Sequence, residues 1–320
     1  MSNLIIDSMN NDKIIVAKDR SKRPMDKNKD SEEVEIYSEY EKKCPFCRGN
    51  EEFIEDEKYK ICDKNGWIVK SVNNKFPIIN DEKEDIYGIH EVMIDTYRHN
   101  GNFYNMTKEE FTHMFEMYKN RYKYFIKDKG IEYVSIFKNF LRKSGASLDH
   151  PHTQIISLSI VPPEIDNEIN IAKDYYKQNK SSLYDDIINK EIKEFERTIY
   201  NGKYFLALVP YATRYSGEIR VISKDKIRFE NMENKYIDEL SKIFEKLFKK
   251  LYKVRGYSPF NLYIHTHPTK IKCDEYYNFH MHIIPRKYSF GGFELSTGLY
   301  VSSINPSEFA NKLRFDNIDW

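Results

Sequence analysis

Residues 138–154 read KNFLRKSGASLDHPHTQ, and the last ten positions hold Gly145, Ala146, Ser147, His150, His152 and Gln154. So many small and polar residues of catalytic type do not suit an ordinary strand or a core helix. In an extended segment alternate side chains share a face, so His150, His152 and Gln154 line one rim. Neutral imidazole near pH 7 is a metal ligand or a nucleophile. When it attacks phosphorus it forms a phosphoramidate that stays reactive enough to pass the group on. Gly145 lets the backbone approach a phosphate closely, and Ser147 adds a donor. The bland alternative is a pair of surface histidines, and the neighbouring residues weigh against it.

Working outward, Tyr133–Phe137 reads as the strand that enters this segment, and 154–158 as the strand that leaves it. Upstream stand candidate strands at 13–17, 67–72 and 90–95. Residues 107–128 form a helix with Phe111, Met114, Phe115, Tyr118, Tyr122 and Phe125 at core spacing and Thr107 with Glu110 as a capping box. Downstream come a helical region over 164–200, strands at 205–210 and 217–222, an amphipathic helix over 230–254, strands at 260–265 and 280–285, and a last helix over 307–314. The order strand, strand, helix, strand, H-x-H strand thus occurs twice, which marks a duplicated unit. An antiparallel sheet with packed helices suits both halves, an α+β fold. Residues 1–12 read as a weakly fixed polar terminus and 25–43 as a solvated loop.

Lys and Arg total 51 against 50 Asp and Glu, so no global field points to nucleic acid. Charged residues are 32% and apolar ones 40%, the balance of a globular protein. No apolar run is long enough to cross a bilayer and the start has no leader pattern, so a cytoplasmic location is expected. Four cysteines are too few for a disulfide scaffold. Cys44-Pro45-Phe46-Cys47 suits one metal ion held by two thiolates from a tight turn. A redox dithiol is the competing reading, though it wants a strand before it and a helix at its first cysteine.

Lys138-Asn139, Gly145-Ala146-Ser147 and His150-Pro151-His152-Thr153-Gln154 resemble the active-site segment of the galactose-1-phosphate uridylyltransferase family, a branch of the histidine triad superfamily that also holds nucleotide-sugar phosphorylases. The resemblance implies two fused histidine-triad-like units, at 1–195 with the nucleophile and knuckle, and at 196–320. It implies zinc on Cys44, Cys47, His99 and His150, a closed structural shell. It also implies a second zinc or iron on Glu168, His265, His280 and His282, with His267 a nearby competitor. The bland reading of His280 and His282 is that of inward polar residues tied by hydrogen bonds.

By the same resemblance His152 attacks the α-phosphorus of a nucleotide sugar, and a sugar phosphate then takes the nucleotide from the histidine. A backbone carbonyl inside the motif is expected to hold the other ring nitrogen. Ser147 and Gln154 bind phosphoryl oxygens, with Arg20 and Arg23 as further phosphate contacts. Hydrolytic histidine triad proteins carry a third histidine where Gln154 stands, so transfer is favoured over hydrolysis. Asn74 and Phe76 match the segment lying against base and ribose, with Lys75 leaving uracil and adenine both open, and Asn139 joins the substrate contacts. Phe293 and Glu294, in a segment that alone could be a glycine-rich turn, match the family's sugar-binding stretch, which crosses to a partner subunit and so implies a homodimer. Two alternatives stand beside transfer to a sugar 1-phosphate: phosphorolysis by inorganic phosphate, and a zinc-held nucleotide-binding protein without turnover.

Overall fold

Period-two runs rich in Val, Ile, Phe and Tyr set the strands, and Gly, Asn and Pro end them. The computed structural model describes residues 3–17, 38–54, 56–82, 85–286 and 290–315. Two short strands come first, β1 (Asn3–Ile6) and β2 (Lys13–Val16). The first unit follows as β3 (Glu57–Asp63), β4 (Gly66–Asn73), β5 (His90–Ile94), α1 (Lys108–Phe125), β6 (Tyr133–Phe140) and β7 (His152–Leu158). Two helices, α2 (Pro163–Asn179) and α3 (Leu183–Glu194), lead to the second unit. That unit runs β8 (Thr198–Asn201), β9 (Phe205–Leu208), β10 (Ile219–Ser223), α4 (Asn234–Arg255), β11 (Phe260–His265) and β12 (His280–Pro285). The chain then forms α5 (Gly292–Thr297), β13 (Leu299–Ser302) and α6 (Pro306–Leu313).

One ten-stranded sheet takes all strands of both units, in the order β3-β4-β5-β7-β6-β11-β12-β10-β9-β8. The order reads the same from either edge once β3 to β7 are matched with β8 to β12. The α+β fold of two fused histidine-triad-like units is therefore present, and its two antiparallel sheets are joined edge to edge through β6 and β11. Gln154, Phe137, Tyr263 and His282 form one row across β7, β6, β11 and β12.

Both long helices lie on one face of the sheet. The capping box on Thr107 and Glu110 is formed, which starts α1 where its apolar stripe begins. Phe103, Phe111, Phe115, Phe244 and Phe248 interlock between α1 and α4, with Phe115 and Phe244 edge to face at 4.9 Å. A buried ion pair from Arg121 Nε to Glu91 Oε2, 2.8 Å, fastens α1 to β5. The opposite face differs between the units. Over the second unit it is covered by Ile165, Ile169 and Ala172 of α2, Tyr184 and Ile188 of α3, and Met9.

Several readings of the sequence need correction. Residues 3–12 are not loose: β1 pairs with β2, and Asp7 is buried in an ion pair with Arg220 of β10. Alternation is too brief in four residues to reveal β1, and β13 beside β2 is equally short. β3 is mostly exposed and charged, with Glu57, Lys58, Lys60 and Asp63, so its short inner row of Tyr59 and Ile61 gives no strand signal. The region 164–200 is two helices and a strand, broken at Lys180 and Phe195, both with positive φ. The alternative of a glycine-rich turn at 291–298 gives way to a short helix, Gly292–Thr297. Most of the expected loop at 25–43 lies outside the described residues.

Phe244→Ala opens a cavity in the fully buried layer between α1 and α4. The expected loss is about 3–5 kcal/mol in urea unfolding, against about 0.5 kcal/mol or less for Leu4→Ser on the exposed side of β1.

Candidate active site

His152 sits at the start of β7, and its Nδ1 lies 2.8 Å from the carbonyl oxygen of His150. A carbonyl only accepts, so Nδ1 carries the proton and Nε2 holds a free lone pair. Burial, and then the positive charge of Lys138, push the His152 pKa down, which keeps the ring neutral. Beneath the strand, Lys138 Nζ donates to the His152 carbonyl and to Asp95 Oδ2, each at 2.8 Å. Thr153 Oγ1 donates to the same carboxylate at 2.9 Å, and the Tyr118 hydroxyl reaches its other oxygen at 2.7 Å. These groups are buried yet partnered, so they fix the strand instead of softening it.

Gln154 follows two residues on and shares the face of His152. Its Oε1 lies 2.9 Å from His90 Nε2 on β5. Asn139 on β6 is bonded by Asn261 of β11, Nδ2 to Oδ1 2.7 Å. Asn74 accepts from the Phe76 backbone N–H at 2.9 Å in an Asx turn, which leaves Phe76 82% exposed. Ser147 is exposed on the loop between β6 and β7. Gly145 turns that loop with φ +98°, a conformation closed to most residues. Glu294 caps its own helix by accepting from the Gly291 N–H at 2.9 Å, and α5 packs on β13. Arg20 and Arg23 lie outside the described residues.

Cys44, Cys47, His99 and His150 converge, with ligand atoms all within 4.8 Å of one another. Sulfur to Nδ1 separations are 3.6 Å for Cys44 and His150, 3.5 Å for Cys47 and His99, and 3.6 Å for Cys47 and His150. A tetrahedral shell with bonds of about 2.0–2.3 Å spaces its ligands by about 3.5 Å, so the residues fit a cation such as zinc. Nε2 of His150 donates to the Thr96 carbonyl at 2.9 Å, which turns the Nδ1 lone pair to the thiols. Asn50 clasps the knuckle by donating to the Cys44 carbonyl at 2.7 Å, and the Glu41 N–H meets Cys47 Sγ at 3.3 Å. Phe46 then packs on both His150 and His152. Burial pushes the Cys44 thiol up to about 12, so a bound cation has to displace its proton.

Glu168 of α2 meets His265, His280 and His282 in a second buried cluster. His265 Nδ1 lies 2.9 Å and His280 Nε2 3.5 Å from Glu168 Oε2. His280 Nδ1 donates to the Asn278 carbonyl at 2.9 Å, and His282 Nδ1 to Glu218 Oε1 at 2.6 Å. Both Nε2 atoms are buried without a hydrogen-bond partner. Two inward lone pairs beside a carboxylate suit a cation, although both histidines are also tied by hydrogen bonds through Nδ1. Against burial, His265 at 2.9 Å holds the Glu168 carboxyl well below its usual range. His267 stands aside, its Nε2 on the Tyr277 carbonyl at 2.9 Å.

The two H-x-H motifs do not correspond position by position. His280 is held by the carbonyl two residues before it, as His152 is, and His282 is held by Glu218 just ahead of β10, as Gln154 is by His90 at the start of β5. His280 is thus the counterpart of His152, and His282 of Gln154. Sequence reading missed His90, Asn50 and Glu218. Each acts from a neighbouring strand or loop, and only His90, as a histidine facing inward on a period-two run, left any local signal.

The model of a domain of unknown function, DUF4921, matches residues 99–316, and that of the N-terminal domain of DUF4931 matches residues 27–161. ADP-glucose phosphorylase of Arabidopsis thaliana is 26% identical over 96% of this chain and 91% of its own. Galactose-1-phosphate uridylyltransferase of Thermotoga maritima is 23% identical over 86% of this chain and 90% of its own. The crystal structure of the Arabidopsis thaliana ADP-glucose phosphorylase with bound ADP-glucose superposes with a TM-score of 0.87 at 25% identity, over 99% of each chain. The chain belongs to the DUF4921 family and is a galactose-1-phosphate uridylyltransferase-like member of the histidine triad superfamily.

Proposed function

We propose that the protein moves a nucleoside monophosphate from a nucleotide sugar to a sugar 1-phosphate through a covalent intermediate on His152. The observation that carries this reading is the tautomer of His152: with its proton on Nδ1 and donated to the His150 carbonyl, Nε2 is the nucleophile. The Nε2 lone pair forms a bond to the α-phosphorus. The bond from that phosphorus to the bridging oxygen breaks, and its electron pair leaves with the sugar 1-phosphate. An oxygen of the acceptor phosphate then attacks the same phosphorus and the N–P bond breaks, the Nδ1 proton staying in place throughout. Gln154 and Ser147 receive the phosphoryl oxygens, with Arg20 and Arg23. Asn74, Phe76 and Asn139 hold the nucleoside side, and Phe293 and Glu294 the sugar. Inorganic phosphate as acceptor is a second reading, supported by the similarity to ADP-glucose phosphorylase over 96% of this chain.

Zinc belongs to the first cluster, where it supplies a rigid anchor for the knuckle and for the strand of His152. Zinc or iron suits the second cluster, as a structural clamp between α2 and the sheet. The units divide at 195/196, between the end of α3 at Glu194 and the start of β8 at Thr198. A homodimer in the cytoplasm completes the reading, supported by Phe293 and Leu295 exposed on α5, and among the described residues no helix is long and apolar enough to cross a membrane.

Brief exposure to UDP-glucose or ADP-glucose without acceptor should add the mass of UMP or AMP to the intact protein, and His152→Ala should abolish the adduct. Retained labelling in that variant, or ligand binding with no adduct and no turnover, would overturn the mechanism. Because burial lowers the His152 pKa, its lone pair is available below the ordinary imidazole value of 6.5. The labelling rate should therefore stay level as pH falls through 6.5 and decline only at more acid pH, in single-turnover measurements. Elemental analysis should find about one zinc per chain in the first cluster. Cys44→Ser should lose it and melt at a lower temperature; unchanged zinc content in that variant removes the assignment.

A further inference from the structure

His90 is buried on β5, outside both metal clusters, and is not one of the residues that the mechanism above employs. Three elements meet on its ring. The backbone N–H of Ile78 points at Nδ1 from 3.1 Å. An N–H only donates, so Nδ1 is the acceptor and the single proton of the neutral ring is on Nε2. Burial favours that neutral ring by lowering the His90 pKa. The Nε2 proton then goes to Gln154 Oε1, 2.9 Å away. The Asn74 amide nitrogen is 3.0 Å from Nε2 and 3.4 Å from Nδ1. So nearly equal an approach to both nitrogens sets it over the ring face, in line with neither lone pair.

This chain of donors has one consequence for Gln154. Its amide is free to rotate by half a turn unless something distinguishes oxygen from nitrogen, and only the nitrogen end can donate to a phosphoryl oxygen. With its oxygen taken by His90, both N–H bonds of Gln154 are released toward the face it shares with His152. We propose that His90 is a positioning residue that sets the Gln154 amide with its donors toward the α-phosphoryl group. Through Asn74 and Ile78 it ties that orientation to the loop carrying the nucleoside contacts. The inference rests on the nucleotidyl-histidine reading above.

The test measures the single-turnover rate of nucleotidylation by UDP-glucose and ADP-glucose, together with the donor concentration for half-maximal rate. His90→Phe keeps the volume and loses both hydrogen bonds, and should slow labelling about 100-fold at saturation, the effect of losing one phosphoryl-site donor. His90→Gln loses the acceptor for Ile78 too, but its amide N–H can still reach Gln154 Oε1, so it should recover most of that rate. In a Gln154→Met background His90→Phe should cost nothing further at saturation, since its effect passes through Gln154. Labelling of His90→Phe at the wild-type rate, equal slowing in the Phe and Gln variants, or fully additive costs would each overturn the inference and leave the mechanism standing. No labelling of the wild-type protein by either donor would overturn the mechanism and this inference with it.

Discussion

The pairing of β6 with β11 is the joint on which the molecule depends. Each strand would otherwise be the edge of its own five-stranded sheet, with a row of unpaired backbone donors and acceptors. Their antiparallel ladder, Phe140 with Phe260 through Ile136 with Ile264, makes one sheet of two and sets its register. Because side chains alternate with a period of two, that register also decides which residues of both units share a face. Phe137 and Tyr263 meet across the joint, with Gln154 beyond one and His282 beyond the other.

The two faces then do different work. On the helical face, aromatic packing between α1 and α4 supplies the stability, and a polar island there lies directly behind His152. A buried ammonium and carboxylate cost desolvation, which their mutual attraction offsets only when the remaining hydrogen bonds are made. Lys138 and Asp95 meet that condition through the His152 carbonyl, Thr153 and Tyr118. Burial accordingly lowers the Lys138 pKa, with Asp95 opposing. The result is a stiff strand on whose other side the imidazole is presented.

Duplication has been used in opposite ways. Both units hold a histidine by the carbonyl two residues earlier and brace the next inward residue from the start of the neighbouring strand or just ahead of it. In the first unit the brace is His90 and the braced residue an amide, which leaves an imidazole lone pair for chemistry. In the second the brace is Glu218 and the braced residue another imidazole, and α2 closes over them to bring Glu168 within 3.5 Å. A lone pair that meets a carboxylate and two imidazoles in a dry enclosure suits a metal ion; the same lone pair beside an amide suits the nucleophile proposed above. Asp7 reaches Arg220 behind Glu218, so the N-terminal strands brace this second centre.

Much of this was written locally in the chain. The small residues before His150, the alternation of His150, His152 and Gln154, the C-x-x-C spacing and the repeated order of elements are short-range patterns, and each has a direct physical meaning. Strand period and helix period are properties of a few consecutive residues, so the fold class and the duplication were legible too. Tertiary structure alone decided the joining of two sheets into one, the fastening of residues 3–12, the covering of one H-x-H site by α2 and the bracing of Gln154 by His90. These depend on register between strands that are distant in sequence: His90 and Gln154 are 64 residues apart. A one-residue slip in that register would turn every such side chain to the other face, and nothing in either segment by itself specifies it.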